Sequence, residues 1–211
     1  MRFPRLGASL TAAVLVVALA ACGGKADSGG LPSTSTTPSD PLTSTPSTST
    51  PPPQPTAAPI RSTQKYSSLT LVLDHSAQPP ANAKVALQVY EDYERSAHRS
   101  EATNVEDPNL GKKASGQPLQ RVRDILRNQK SQGVRTGGSI TVTVRLVRAS
   151  AAAAAFSGCY DQSKSLLVRA NGTSYTGPLT KKYPRLKLNV IITNVAGLWL
   201  VTERNLKADR C

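Results

Sequence analysis

The sequence predicts an α+β domain, with N-terminal helices packed on one face of a curved antiparallel sheet. Two patterns predict it. Between Ala81 and Lys130 apolar side chains recur at helical spacing, and beyond Gly133 the spacing shortens from about 3.6 to 2. A third pattern sets the boundary. Leu31 to Pro59 is almost entirely Pro, Ser and Thr, which leaves residues 61–211, roughly 150 of them, for one ordinary domain.

The chain opens with Arg2 and Arg5, followed by an apolar run from Leu10 to Ala21. Such a run is too short for a ~30 Å hydrocarbon core but suits a signal peptide over 1–21. Leu19-Ala20-Ala21-Cys22, followed by Gly23-Gly24, resembles the lipobox of bacterial lipoproteins. That resemblance implies a diacylglyceryl thioether on Cys22, usually with N-acylation such as palmitate, and a location on the outer face of the bacterial cytoplasmic membrane. Two or more acyl chains hold firmly where one is marginal. A cleaved, freely secreted protein and an uncleaved anchor are the alternatives. Residues 22–60 then form a disordered linker, because a Pro/Ser/Thr tract buries too little apolar surface to offset its ordering entropy. Its extended contour is on the order of 100 Å. A bare spacer and an O-glycosylated stalk fit it equally.

Residues 61–211 hold 23 Lys and Arg against 11 Asp and Glu, within a chain of formal net charge +13. The expected partners are the bilayer, through the acyl anchor, and anionic envelope components or an envelope protein. Nucleic acid is not expected outside the cell, and the charge is also ordinary solubility charge. With Cys22 lipidated, Cys159 and Cys211 remain as a pair in a disulfide-permissive compartment.

Leu69, Leu71 and Leu73 alternate within Tyr66–Leu73, a short strand or an extended lead-in ended by Pro79-Pro80. Ala81 to about Ser100 is a helix through Val85, Leu87, Val89, Tyr90, Tyr93 and Ala97, with Asn82 a candidate cap. A second helix runs from Ser115, another candidate cap, to about Lys130, with Leu119, Val122, Ile125 and Leu126 as its stripe and Gly133 as its stop. Ile140, Val142, Val144 and Leu146 alternate with polar residues as a half-buried strand. Ala151–Tyr160 is its partner by position, although five successive alanines favour helix by propensity. Leu166–Arg169 with Asn171-Gly172 reads as strand and tight turn. Tyr183–Thr193 and Leu198–Arg204, the latter carrying Trp199, complete a meander.

In this order the chain resembles the NTF2-like (cystatin-type α+β cone) superfamily, in the form found among actinobacterial lipoproteins. The residues that carry the resemblance are Ala86-Leu87-Gln88-Val89-Tyr90-Glu91-Asp92-Tyr93, Gly116-Gln117-Pro118-Leu119, Cys159-Tyr160-Asp161-Gln162-Ser163, Asn171-Gly172, Gly197-Leu198-Trp199-Leu200-Val201 and Cys211. It covers most of 80–211. It implies a conical fold with a pocket between sheet and helices, and a Cys159–Cys211 bridge. It implies no single activity, since this fold hosts isomerases, dehydratases, transport factors and domains of unknown role.

No HExxH, Walker loop, GxSxG or CxxC is present, and no motif implies a metal or cofactor. Asp74-His75 is the pair that invites a catalytic reading, but neighbours on an extended segment point to opposite sides. The candidate pocket residues are Asp74, His75, Tyr90, Tyr93 and Trp199, of which the three aromatics equally suit the core. Asp161 and Ser163 suit turn backbone. The expected function is non-catalytic binding of a ligand or partner by a membrane-anchored domain. The alternatives are an isomerase- or dehydratase-like enzyme with Asp74 or His75 as base, and a structural subunit of an envelope complex. The oligomeric state is left open.

Overall fold

A computed structural model describes residues 60–75, 78–209 and 211. The signal segment over 1–21, Cys22 and the linker before Ile60 lie outside the described residues. The elements in chain order are β1 (Ile60–Tyr66), β2 (Leu69–His75), α1 (Ala81–Thr103), α2 (Leu110–Lys113), α3 (Gln117–Gln132), β3 (Val134–Ala149), β4 (Ala153–Arg169), β5 (Ser174–Tyr175), α4 (Pro178–Lys182), β6 (Arg185–Val195) and β7 (Leu198–Lys207). No helix among them is long and apolar enough to cross a membrane.

The fold is α+β, as expected, but the arrangement differs in two respects. A β1–β2 hairpin precedes the helices, so the helices sit among the strands rather than before them. The seven-stranded sheet is mixed, ordered β1-β2-β3-β4-β6-β7 with β5 beside β4. β2 pairs with β3 in parallel, Leu71 opposite Ile140, because the connection between them passes through three helices. A crossover of that kind returns the chain in the same direction, whereas a tight hairpin reverses it. All other pairings are antiparallel.

Local sequence explains most boundaries. α1 begins after Pro79-Pro80, with Pro80 at the N-cap and no side-chain cap, so Asn82 does not cap it. It ends at Asn104, whose left-handed backbone closes the last turn and whose amide donates to the Val134 carbonyl. Gly116 takes the N-cap of α3, and the Ser115 amide instead donates to the Val201 carbonyl, tying the helix start to β7. Gly133, at positive φ, stops α3 as expected. The alanine run is strand, not helix. It is flanked on one side by β3 and on the other by β6, and two rows of ladder bonds override propensity. The segments read as separate strands at Ala151–Tyr160 and Leu166–Arg169 are one long strand, β4. The Asn171-Gly172 turn forms, with Asn171 accepting from the Thr173 amide.

α1 and α3 lie on one face of the sheet over a core of Leu71, Leu87, Tyr90, Tyr93, Val122, Leu126, Ile140, Val142, Phe156, Leu188, Val190, Ile192 and Val201. β3 and β4 are long enough to bend, and two glycines permit the bend. Gly138 has φ +79, and a Cβ there would strike the Lys164 carbonyl; a Cβ on Gly158 would strike the Thr143 carbonyl. The β3–β4 register slips between Ser139 and Thr141, and such a bulge increases local bend and twist. Cys159 and Cys211 are bridged, 52 residues apart with Cα atoms 5.5 Å from each other. In the chain-entropy account a loop of that size contributes on the order of 4 kcal/mol.

Gly158→Ala is expected to lower the unfolding free energy in urea by about 2–3 kcal/mol, since the added methyl meets backbone rather than a movable side chain. Gly111→Ala is the control. It sits in α2 with open space around it, so it is expected to gain up to ~1 kcal/mol from backbone entropy. Equal effects of the two substitutions would sink this account of the bend.

Candidate functional site

The bent sheet leaves a cavity of about 780 Å³ beneath α3 and α4, inside the size range of small-molecule sites. Ile125 and Gln129 enter it from α3, Ile140 from β3, Leu167 from β4, Leu186 from β6 and Leu206 from β7. The segment Gly177–Tyr183, which contains α4, forms one side. No residue of α4 is buried. Gln162 donates to the Tyr183 carbonyl at 2.7 Å and holds the end of this segment to β4. Glu101, Tyr160 and Arg204 also line the cavity, and Arg121 stands exposed on its α3 side.

Those three residues belong to a buried polar network. Arg204 donates from Nε to Glu94 Oε1 at 2.7 Å and from Nη2 to Oε2 at 3.3 Å. His98 lies between two carboxylates, with Nε2 3.2 Å from Glu94 and Nδ1 3.4 Å from Glu101. The oxygens lie off the N–H directions, so these contacts are ionic rather than well-formed hydrogen bonds. The His98 ring stacks on Tyr160 at 5.9 Å, and the Arg204 guanidinium stands 5.0 Å from the centre of the same ring. With His98 protonated the four charges cancel.

The titration behaviour follows from this geometry. Burial alone would lower the pKa of His98, but Glu101 and then Glu94 push it up to about 9. Burial alone would raise that of Glu94, but Arg204 and then His98 hold it at about 2. Burial pushes the Tyr160 phenol well above its ordinary value.

The five candidate pocket residues do not converge. Asp74 accepts from Arg61 Nη2 at 2.8 Å at the sheet edge. His75 faces α1, with Nε2 3.4 Å from Glu91, and lines a separate cavity of about 290 Å³ with Leu87, Val144 and Phe156. Tyr90 and Tyr93 are core residues, and Trp199 is half-buried against that core. None of the five lines the larger cavity. Sequence reasoning missed the network, because Glu94, His98 and Glu101 match no recognised motif. Their signal is positional: they continue the buried stripe of Leu87 and Tyr90 at spacings of three and four. Among the described residues no group of three or more His, Cys, Asp or Glu side chains is placed to hold a metal ion.

No family model matches the chain. No curated protein matches it either. Solved structures that resemble it at low identity include the following. The intermembrane space region of the chloroplast protein ARC6 aligns with 62% of this chain and 100% of its own, at 12% identity and a TM-score of 0.39. An NTF-2 like protein of unknown function from Shewanella oneidensis MR-1 aligns over 57% and 98%, at 10% identity and a TM-score of 0.36. A putative calcium/calmodulin dependent protein kinase II association domain from Xanthomonas campestris aligns over 63% and 93%, at 14% identity and a TM-score of 0.37. Similarity at this level assigns neither a family nor an activity.

The network makes stability depend on pH at both extremes. The folded-state pKa of His98 is raised from 6.5 to about 9, so its contribution is complete below 6.5 and is lost as pH rises through 9. That of Glu94 is lowered from 4.5 to about 2, so its contribution is complete above 4.5 and is lost as pH falls through 2. Urea midpoints are therefore expected to fall between pH 6.5 and 9, and His98→Gln is expected to flatten that fall while lowering the midpoint throughout. A wild-type curve flat across this window would remove the charged His98.

Proposed function

We propose that this chain is an exported lipoprotein, lipidated on Cys22, whose NTF2-like domain binds a small amphipathic ligand without transforming it. The observation that carries the binding reading is the 780 Å³ cavity, whose interior charges already satisfy one another. Ile125, Ile140, Leu167, Leu186 and Leu206 give it apolar walls. Arg121 has no carboxylate within 4 Å among the described residues, so it is available to an anionic group on the ligand. The non-catalytic reading is supported by where the suggested bases lie. Asp74 is held by Arg61, and His75 lines the smaller cavity. The anchoring reading is supported by the lipobox resemblance and the Pro/Ser/Thr tract that follows it.

Two measurements test this. Cells fed an alkyne analogue of palmitate are expected to label the wild-type chain, and Cys22→Ser is expected to abolish both the label and partitioning into the detergent phase. An unlabelled wild type would remove the anchor. Titration of the purified chain with a fluorescent fatty acid is expected to saturate. Leu186→Trp, which fills the cavity from its wall, is expected to weaken binding by about tenfold, or ~1.4 kcal/mol. Binding that neither saturates nor responds to this substitution would remove the ligand reading.

A further inference from the structure

The strand register places four features at one end of the sheet. Ile60 pairs with His75, and His75 pairs with Val144, so the chain joins the sheet at the end where β3 finishes. The β3–β4 hairpin over Ala149–Ala153 lies at that end. Ala153 pairs with Thr193, which brings the β6–β7 hairpin alongside, with Val195 opposite Leu198. The first turns of α1 follow His75 there, with Leu87 packed near Val144 and Phe156.

The exposed apolar side chains gather at the same end. Among the described residues seven large hydrophobics are exposed. Five of them, Ile60, Val85, Val147, Val195 and Leu198, lie along this rim, with Leu198 68% and Val147 61% exposed. Val105 and Leu179 lie toward the opposite end, where Asn104 bonds to Val134 and Gly177 packs on Leu167. Lys84, Arg145 and Arg148 are exposed around the rim without an acidic partner within 4 Å among the described residues. The carboxylates nearest to it are engaged, Asp74 by Arg61 and Glu91 by Arg95. Glu203 is exposed five residues further along β7.

Both hairpin tips also satisfy their own backbone. Ser150 Oγ accepts from the amides of Ala152 and Ala153, and Asn194 Oδ1 accepts from the Gly197 amide. The Asn194 amide donates to the Ala152 carbonyl, joining the tips. A tip whose backbone is paired enters a low-dielectric region at less cost.

From this we infer that the rim formed by the two hairpin tips is a bilayer-contact surface, seated at the headgroup boundary of an anionic membrane. Exposed aliphatic side chains beside a tryptophan, ringed by unpaired cations, match the chemistry of that boundary. The residues preceding Ile60 join the domain at this rim, so an anchor in them and the tips would meet the same lipid. The inference takes its setting from the proposed anchoring, and the test separates the two.

Trp199 is the only tryptophan in the chain and follows Leu198 directly, so its emission reports this tip alone. The full chain would be reconstituted with vesicles of phosphatidylcholine containing about a third phosphatidylglycerol, brominated near the headgroup. Trp199 is expected to be quenched there, and less so in vesicles of phosphatidylcholine alone. Leu198→Asp and Arg148→Glu are each expected to relieve the quenching, and Val105→Asp at the opposite end is expected to leave it intact. All are surface positions, so folding is preserved. Absent quenching, or quenching indifferent to lipid charge and to the rim substitutions, overturns the inference. A blue shift that follows protein concentration without vesicles also overturns it, by assigning the rim to a second copy of the chain. Failure of acylation at Cys22 is read separately, from the palmitate label.

Discussion

The ion pair between Arg204 and Glu94 is the constraint on which the domain depends. It joins the last strand to the first helix across 110 residues of sequence, with Glu94 fully buried and Arg204 nearly so. Placing two ions there is expensive, and a single bond between them would not make the arrangement favourable. What makes it tolerable is the rest of the set: a bidentate contact, His98 against the second face of Glu94, Glu101 against the far nitrogen, and Tyr160 under both cations. Each member lowers the cost of the next. The same closure uses up these charges, which is why the cavity above them has a polar floor without a free base.

The cavity lies where α3 does not pack closely on the sheet, and the long strands beneath it carry features that favour a bend. β3 and β4 can pass this closely only where side chains are missing, at Gly138 and Gly158, with a register slip between them to absorb the extra residue. A flat sheet would have let the α3 stripe pack against it throughout, as Val122 and Leu126 do. At the cavity, Ile125 borders open space instead, while Gln129 is buried against Thr136. The short α4 segment closes part of the gap while burying nothing itself.

How much of this was legible follows from which residues face the core. The apolar stripes of α1 and α3 and the alternation in β3 and β6 were readable, because burial selects large side chains at fixed periods. β1 was not readable: Ile-Arg-Ser-Thr-Gln-Lys-Tyr buries none of its residues and is held by backbone bonds to β2. With β1 unseen, β2 had no reason to look like the second strand of a hairpin, and the parallel pairing to β3 went with it. The alanine run was legible as a strand by position although its propensity favours helix, because its conformation is imposed by pairing on both flanks. The disulfide was readable by counting, once Cys22 was set aside. The network was half readable. Glu94, His98 and Glu101 share a face that the sequence displays, but nothing near them announces Arg204.

The two ends of the sheet divide the domain's chemistry. Gln129, Thr136, Leu167 and Tyr183, which line the large cavity, lie toward the ends of β3 and β4 where the connection from α3 enters. The hairpin tips and Ile60 lie at the other end. A domain seated on lipid through its tips would therefore present the cavity away from the bilayer, toward whatever the envelope contains. That orientation also separates two apolar surfaces that would otherwise compete for the same ligands. The tips expose aliphatic groups at the end of the sheet, suited to a fluid surface. The cavity encloses them in a concave one beside Arg121, suited to a single molecule. Under the proposed readings, binding and seating would occupy opposite ends of one sheet, with the buried ion network between them holding α1 to β7.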